Sequence, residues 1–266
     1  MARVGAGIVI LAVVLALVGP FVTPYDPAGQ ELPLRLAGPT GTHLFGLDEL
    51  GRDIFARVLA GARISLLVGL VVVSVSATIG ISLGAIAGYF GGRVDESISR
   101  VMDILLAFPG LLLAIALVAV LGPSLTNVVI ALSLIGWVGY ARLVRGQVLR
   151  ARELEFVQAA RALGARTSRI LLRHVIPTTL PAVTVQATLG MGAAILAEAA
   201  LSFLGLGVQP PTPSWGTMLN GGRAHLLDAP HLTIFPGIAI AVLVLGFNFL
   251  GDGLRDALDP ATSQRR

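Results

Sequence analysis

Long uncharged stretches separated by short charged segments dominate this sequence. Residues 4–22 form a run of 19 uncharged residues, close to the ~20 that a helix needs to cross a bilayer core. Residues 64–92 form a second run, and residues 104–141 a third. As one helix the third run would measure roughly 57 Å against a hydrocarbon core of about 30 Å. We therefore predict two spans there, joined by a turn at residues 122–127.

Two further apolar segments, residues 181–206 and 232–251, bring the predicted number of spans to six. The loop over residues 23–63 opens with prolines, and its second half, 48–62, predicts an amphipathic helix at the membrane surface. On its polar face, Asp48/Arg52 and Asp53/Arg57 are spaced as i,i+4 pairs. Residues 93–100 read as a short charged link and 252–266 as a charged tail. We expect an N-terminal unit, 1–63, and a five-span core, 64–266.

Arginine is distributed unevenly between the two sides of this topology. With both termini inside, 14 arginines face the cytoplasm and 5 face outward. The positive-inside rule favours this orientation in a cell inner membrane. The sequence pI of about 10.6 could suggest a nucleic-acid partner. Because the arginines cluster in the segments predicted to face the cytoplasm, membrane topology explains the pI, and we expect no nucleic-acid partner.

Composition supports an integral membrane protein and excludes several chemistries. The chain is 55% hydrophobic and 13% charged, whereas soluble domains average about 25% charged residues. Cysteine is absent, which rules out disulfides and thiol chemistry. Every basic residue is arginine, so the chain lacks the lysine that a P-loop ATPase places at the phosphates. It also lacks the Gly-x-Ser-x-Gly and His-Glu-x-x-His motifs, and we predict no catalytic residue.

The most charged segment lies between the fourth and fifth spans, over residues 144–180. Phe156, Val157, Ala160 and Leu163 are spaced to share one face of a short helix, which Gly164 would end. A second helix is predicted over residues 167–175, with a proline just beyond it. The segment therefore predicts helix, glycine turn, helix, outside the hydrocarbon.

This loop resembles the cytoplasmic "EAA" loop of ABC-importer permeases. The resemblance rests on Ala159-Ala160, on Gly164 four residues later and on Pro177 thirteen residues after that. Position 158 is Gln where the family motif has Glu. Other stretches resemble the peptide and nickel importer permeases, and together they cover nearly the whole chain. They lie at residues 43–53, 61–66, 103–110, 197–207, 213–216 and 251–256.

The resemblance implies an all-α membrane fold of the type I ABC importer permease class. It implies that the loop inserts a coupling helix into a partner ATPase. It further implies a second permease subunit, two ATPase subunits and an extracytoplasmic solute-binding protein, with this chain as the shorter-loop permease. ATP and Mg²⁺ would be bound by the ATPases, so we expect no cofactor on this chain. The residues expected to serve coupling are Phe156, Gln158, Ala159, Ala160, Arg161, Gly164 and Pro177.

Several polar residues keep two interpretations at this stage. Glu198 lies well inside a predicted span, where an acid is costly, so it indicates either a point on the transport path or a structural hydrogen bond or ion pair to the second permease chain. Asp103 is a similar candidate at the start of the third span. His225, Asp228 and His231 are spaced for metal ligation only if a helix forms, which Pro230 opposes, so we predict no metal site.

Two other functional classes stay open from the sequence. An ion-coupled secondary transporter would show inverted repeats and several intramembrane charges. A non-transporting membrane scaffold is the second alternative. The solute also stays open between peptides, nickel and other small molecules.

Overall fold

The structure is a computed structural model that describes residues 1–258. Those residues are helical apart from loops, turns and one isolated antiparallel bridge between Leu47 and Asp53. The predicted tail therefore lies partly outside the described residues, including Arg265 and Arg266. The helices are α1 (Ala2–Val22), α2 (Ile54–Phe90), α3 (Gly92–Leu106), α4 (Gly110–Leu121), α5 (Leu125–Ala151), α6 (Glu155–Ala162), α7 (Thr167–Ile170), α8 (Ile176–Phe203), α9 (Trp215–Gly222) and α10 (His231–Leu258).

The long helices confirm an all-α membrane fold. Within the described residues, five helices are long and apolar enough to cross a membrane. A sixth span is obtained when α3 and α4, bent by 85° relative to each other, are counted as one. Helices α5 and α10 extend beyond the predicted ends of their spans, so Arg142, Arg145 and Arg150 lie on α5 rather than in a loop.

The predicted separate surface helix over residues 48–62 is wrong. Helix α2 begins at Ile54 and runs 37 residues without a break, because its apolar pattern meets no helix breaker before Gly91. Asp53 caps it by accepting a 2.7 Å hydrogen bond from the Ala56 amide. Asp48 does pair with Arg52 at 2.7 Å, but in a buried turn. Arg57 contacts Asp48 at 3.4 Å instead of the predicted Asp53.

The predicted third span is also broken. The charged link at residues 93–100 is part of helix α3, whose apolar side buries Met102 against Trp137 and Val138 of α5. Pro109 lacks the amide hydrogen that would continue this helix, and α4 starts afresh at Gly110. The predicted third span is therefore represented by α4 alone, which is only 12 residues long.

Helix α8 starts earlier than the sequence pattern indicates. The segment from Thr167 to Phe203 is helical throughout, because a π-helical stretch, Leu171–Val175, joins α7 to α8. Pro177 therefore occupies the first turn of α8 instead of following a separate helix. A proline is tolerated there because the first-turn amides of an α-helix need no intrahelical partner.

Close helix contacts hold the bundle together. Gly80, Gly84 and Gly88 form a stripe on α2 against α5, and a Cβ on Gly88 would lie 2.8 Å from the Arg145 carbonyl oxygen. Small residues at this spacing let two backbones approach in a membrane. Near the C-terminus of α1, Arg63 Nη2 donates to the Leu17 carbonyl at 2.8 Å, and its Nε donates to the Ala16 carbonyl.

Candidate functional site

In the loop between α5 and α8, helix α6 is anchored by a buried side chain. Val157 is fully buried and packs with Val144 and Val148 of α5. Ile170 and Val175, which follow the glycine turn, join the same cluster. The sequence prediction of a short helix followed by a turn is confirmed, with α6 displaced by one residue from the predicted bounds.

A complete Schellman motif ends α6. Gly164 has φ +76°, the left-handed region that favours glycine. Its amide donates to the Arg161 carbonyl at 3.0 Å, and the Ala165 amide donates to the Ala160 carbonyl at 3.1 Å. Ala160 and Ala165 also pack on the same buried cluster. The turn therefore fixes the angle at which the chain leaves α6.

The apolar residues that helical spacing groups on one face of α6 divide between two surroundings. Val157 and Ala160 face the protein, whereas Phe156 is 45% exposed and Leu163 is 88% exposed. Gln158, Ala159 and Arg161 are also exposed. Exposed large apolar side chains on a polar loop are typical of a surface that binds another protein.

Two arginines connect this loop to the end of α2, and neither contact was predicted from the sequence. The Arg161 guanidinium lies 5.7 Å from the centre of the Tyr89 ring. Arg152 Nη1 donates to the Gly88 carbonyl at 3.1 Å, near the C-terminus of α2, where a cation interacts favourably with the helix dipole. Pro177 is exposed on α8.

Glu198 is fully buried near the C-terminus of α8. Its Oε1 accepts a 2.7 Å hydrogen bond from the Ser202 hydroxyl, which in turn accepts from the Val208 amide at 3.2 Å. Among the described residues, Oε2 has no hydrogen-bond partner. The carboxylate thus ties the loop after α8 to the helix.

Asp103 lies on the exposed end of α3 and pairs with Arg142 of α5 at 2.8 Å. Nearer the start of α3, Arg145 of α5 donates hydrogen bonds from Nε and Nη2 to the two carboxylate oxygens of Asp95. These pairs join the amphipathic α3 to α5.

The three residues considered for a metal do not form one group, because only two of them contact each other. His225 Nδ1 lies 3.0 Å from Asp228 Oδ2, and this hydrogen bond holds the pKa of Asp228 below its usual range. His231 Nε2 instead faces the Leu47 carbonyl at 3.4 Å. Within residues 1–258, no group of three or more histidine or acidic side chains is arranged to hold a metal ion.

A cavity of about 280 Å³ lies between α2, α4, α5 and α8, at the middle of the long helices. Its polar lining comes from Ser76, Tyr140 and Gln186, and the remaining lining residues are apolar or glycine. This cavity was not predicted from the sequence, because its residues come from four helices distant along the chain.

Two family models match the chain. The model described as "Binding-protein-dependent transport system inner membrane component" matches residues 80–264, more than half of the chain. The model described as "N-terminal TM domain of oligopeptide transport permease C" matches residues 1–39.

Curated relatives are similar along nearly the whole length. The dipeptide transport system permease protein DppC of Alkalihalophilus pseudofirmus is 49% identical over 98% of this chain and 86% of the relative. The glutathione transport system permease protein GsiD of Escherichia coli is 50% identical over the same shares.

Among solved structures, inward-facing conformations of the MetNI methionine ABC transporter share the fold. One matches with a TM-score of 0.59 at 18% identity, covering 76% of this chain and 96% of the other. The family models and the relatives indicate an importer permease rather than an ion-coupled transporter or a scaffold, and the solved structures share the fold of this chain. The chain belongs to the binding-protein-dependent transport system inner membrane components, as a multi-pass permease subunit of an ABC importer that is not itself the ATPase.

Proposed function

We propose that this permease imports peptides delivered by an extracytoplasmic binding protein. The relatives named for dipeptide and glutathione transport are about half identical to it over nearly its full length. Nickel is the less favoured solute, because the relatives described above are named for dipeptide and glutathione transport.

Helix α6 is the proposed coupling helix that docks into a partner ATPase. The observation that carries this role is the pair of exposed apolar side chains, Phe156 and Leu163, on a helix held from beneath by buried Val157. Gln158 and Arg161 provide exposed polar groups on the same helix, and Ala159 is exposed between them. Interfaces commonly combine apolar anchors with polar groups around them. Motion of the ATPases would pass through Gly164 and Pro177 to α8.

The remaining partners follow from the same proposal. A second permease would complete the solute path, and two ATPases would bind ATP and Mg²⁺, leaving this chain without a cofactor of its own. Both termini would be cytoplasmic, an orientation supported by the arginine distribution of the sequence.

Site-specific cross-linking tests the docking of α6. Since the chain has no cysteine, Leu163→Cys introduces its only thiol. In the assembled complex, we expect a short thiol-to-amine reagent to join this position to an ATPase subunit. Thr212→Cys, exposed in the loop before α9, is the matched control and should form no such product. Equal cross-linking from both positions, or none from Leu163→Cys, would contradict the docking.

A further inference from the structure

The cavity between α2, α4, α5 and α8 carries hydrogen-bonding groups but no charge. Ser76 comes from α2, Tyr140 from α5 and Gln186 from α8. None of its lining residues within the described part of the chain is an acid, an arginine or a histidine. Polar groups at this depth in a bilayer normally face a partner or a water-filled space, because lipid offers them no hydrogen bond.

Glycines make room for two of these hydroxyls. A Cβ on Gly190 would lie 2.5 Å from the Tyr140 hydroxyl, and one on Gly136 would lie 2.6 Å from Ser76 Oγ. The Tyr140 hydroxyl reaches the Gln186 backbone carbonyl only at 3.5 Å, the long limit of a hydrogen bond. Both hydroxyls can therefore turn toward the cavity without losing a strong bond.

The Gln186 side chain is half-buried in the same wall. Among residues 1–258, its side-chain amide forms no hydrogen bond with another group. Its Nε2 lies beside Gly139, 3.8 Å from the position that a Cβ on this glycine would occupy. A half-buried amide without a protein partner needs water or a solute to satisfy it. A side-chain amide also provides both a donor and an acceptor, the two groups that a peptide bond requires.

We propose that this cavity is this chain's wall of the solute path, where the Gln186 amide and the Tyr140 hydroxyl bind the amide groups of a passing peptide. The inference rests on the proposed peptide import. The uncharged lining fits a solute recognised through its backbone, since it provides no charged partner for particular side chains. It also lacks the imidazole and carboxylate groups that would ligate a divalent metal.

Thiol protection in the assembled transporter tests this inference. Gln186→Cys gives the chain one thiol in the wall, and Thr184→Cys gives one on the opposite side of α8, where Thr184 is exposed and bonds the Leu180 carbonyl. Proteoliposomes holding the complete complex and binding protein would be treated with a small water-soluble thiol reagent, with and without a dipeptide during ATP turnover. The labelled chain would then be separated from its partners.

We expect the reagent to modify Gln186→Cys and the dipeptide to slow that modification, with no such protection at Thr184→Cys. We further expect Gln186→Leu to lower kcat/KM for dipeptide uptake about 2- to 10-fold through loss of one hydrogen bond. Thr184→Val, on the other side of α8, should leave both dipeptide uptake and the basal ATPase rate unchanged.

The outcomes distinguish a failure of this inference from a failure of the proposed peptide import. If the wild-type complex imports no dipeptide, the proposed function fails. If it imports dipeptide while Gln186→Cys is unreactive or unprotected, the cavity is not on the solute path. Equal uptake by Gln186→Leu and the wild type would likewise overturn the role of the amide.

Discussion

Replacing Gly164 by valine should uncouple transport without disturbing the membrane spans. Gly164 has φ +76°, and no heavy atom beyond its two chain neighbours lies within 4 Å of the Cβ that a substitution would add. Space is therefore not the limit, and the cost comes from the backbone alone. A non-glycine residue in the left-handed region costs about 1–2 kcal/mol, and a branched side chain costs more. A destabilisation of about 1.4 kcal/mol changes the population of the native turn about tenfold.

The strained turn can relax by giving up the two hydrogen bonds that close α6. These are the bonds from Gly164 to the Arg161 carbonyl and from Ala165 to the Ala160 carbonyl. Their loss would change the direction of α6 relative to its buried anchor, Val157. Because α5 and α8 pack through other contacts, the spans should stay assembled. We expect normal amounts of the complex, weaker ATPase association or uncoupled hydrolysis, and loss of uptake.

A substitution series makes this reasoning testable. Gly164→Asn should be nearly tolerated, since asparagine enters the left-handed region more readily, and Gly164→Ala should be intermediate. Gly146→Val is the matched control, because Gly146 also has open space around its Cβ but lies within α5 without a positive φ. The assay is ATP-driven uptake together with ATPase activity in proteoliposomes. Wild-type uptake by Gly164→Val, or an equal loss in Gly146→Val, would refute the argument.

Three further predictions concern orientation, a buried acid and ATP. Thr212→Cys should react with an impermeant thiol reagent from outside, and Ser168→Cys only after permeabilisation, since both positions are exposed; the reverse would overturn the topology. Glu198→Gln should keep the bond to the Ser202 hydroxyl, whereas Glu198→Ala should lower stability by about 1–3 kcal/mol in thermal unfolding of the purified complex; equal melting temperatures would contradict this. The purified chain alone should hydrolyse no ATP, and turnover above background would show otherwise.

The sequence predicted helices most accurately where a single pattern, an apolar run or helical spacing, determined the structure. The spans α1 and α10 follow from uninterrupted apolar runs, and the α6 turn follows from helical spacing ended by a glycine. Charge was a poorer guide to helix ends. Residues 48–62 and 93–100 look like surface segments, yet the first largely continues into α2 and the second is half of α3. Asp53 as a cap and Pro109 as a break were the local indications of the true boundaries.

Contacts between distant segments could not be predicted from the sequence. Arg161 meets Tyr89 only because α6 folds back beneath α2, and Tyr140 meets Gln186 only because α5 packs beside α8. The exposure of Leu163 was equally hidden, since helical spacing groups it with Val157 and does not tell which residue faces the protein. Packing between helices, rather than propensity, decides these positions.

The most direct measurement of the central claim is uptake by the reconstituted complex. This chain would be combined with its partner permease, the ATPases and the binding protein in proteoliposomes, and entry of a labelled dipeptide would be followed. We predict uptake that requires both ATP and the binding protein, and that is lost when this chain is omitted. Uptake that continues without ATP, that follows an imposed ion gradient, or that persists without this chain would contradict its assignment as the permease of an ATP-driven importer.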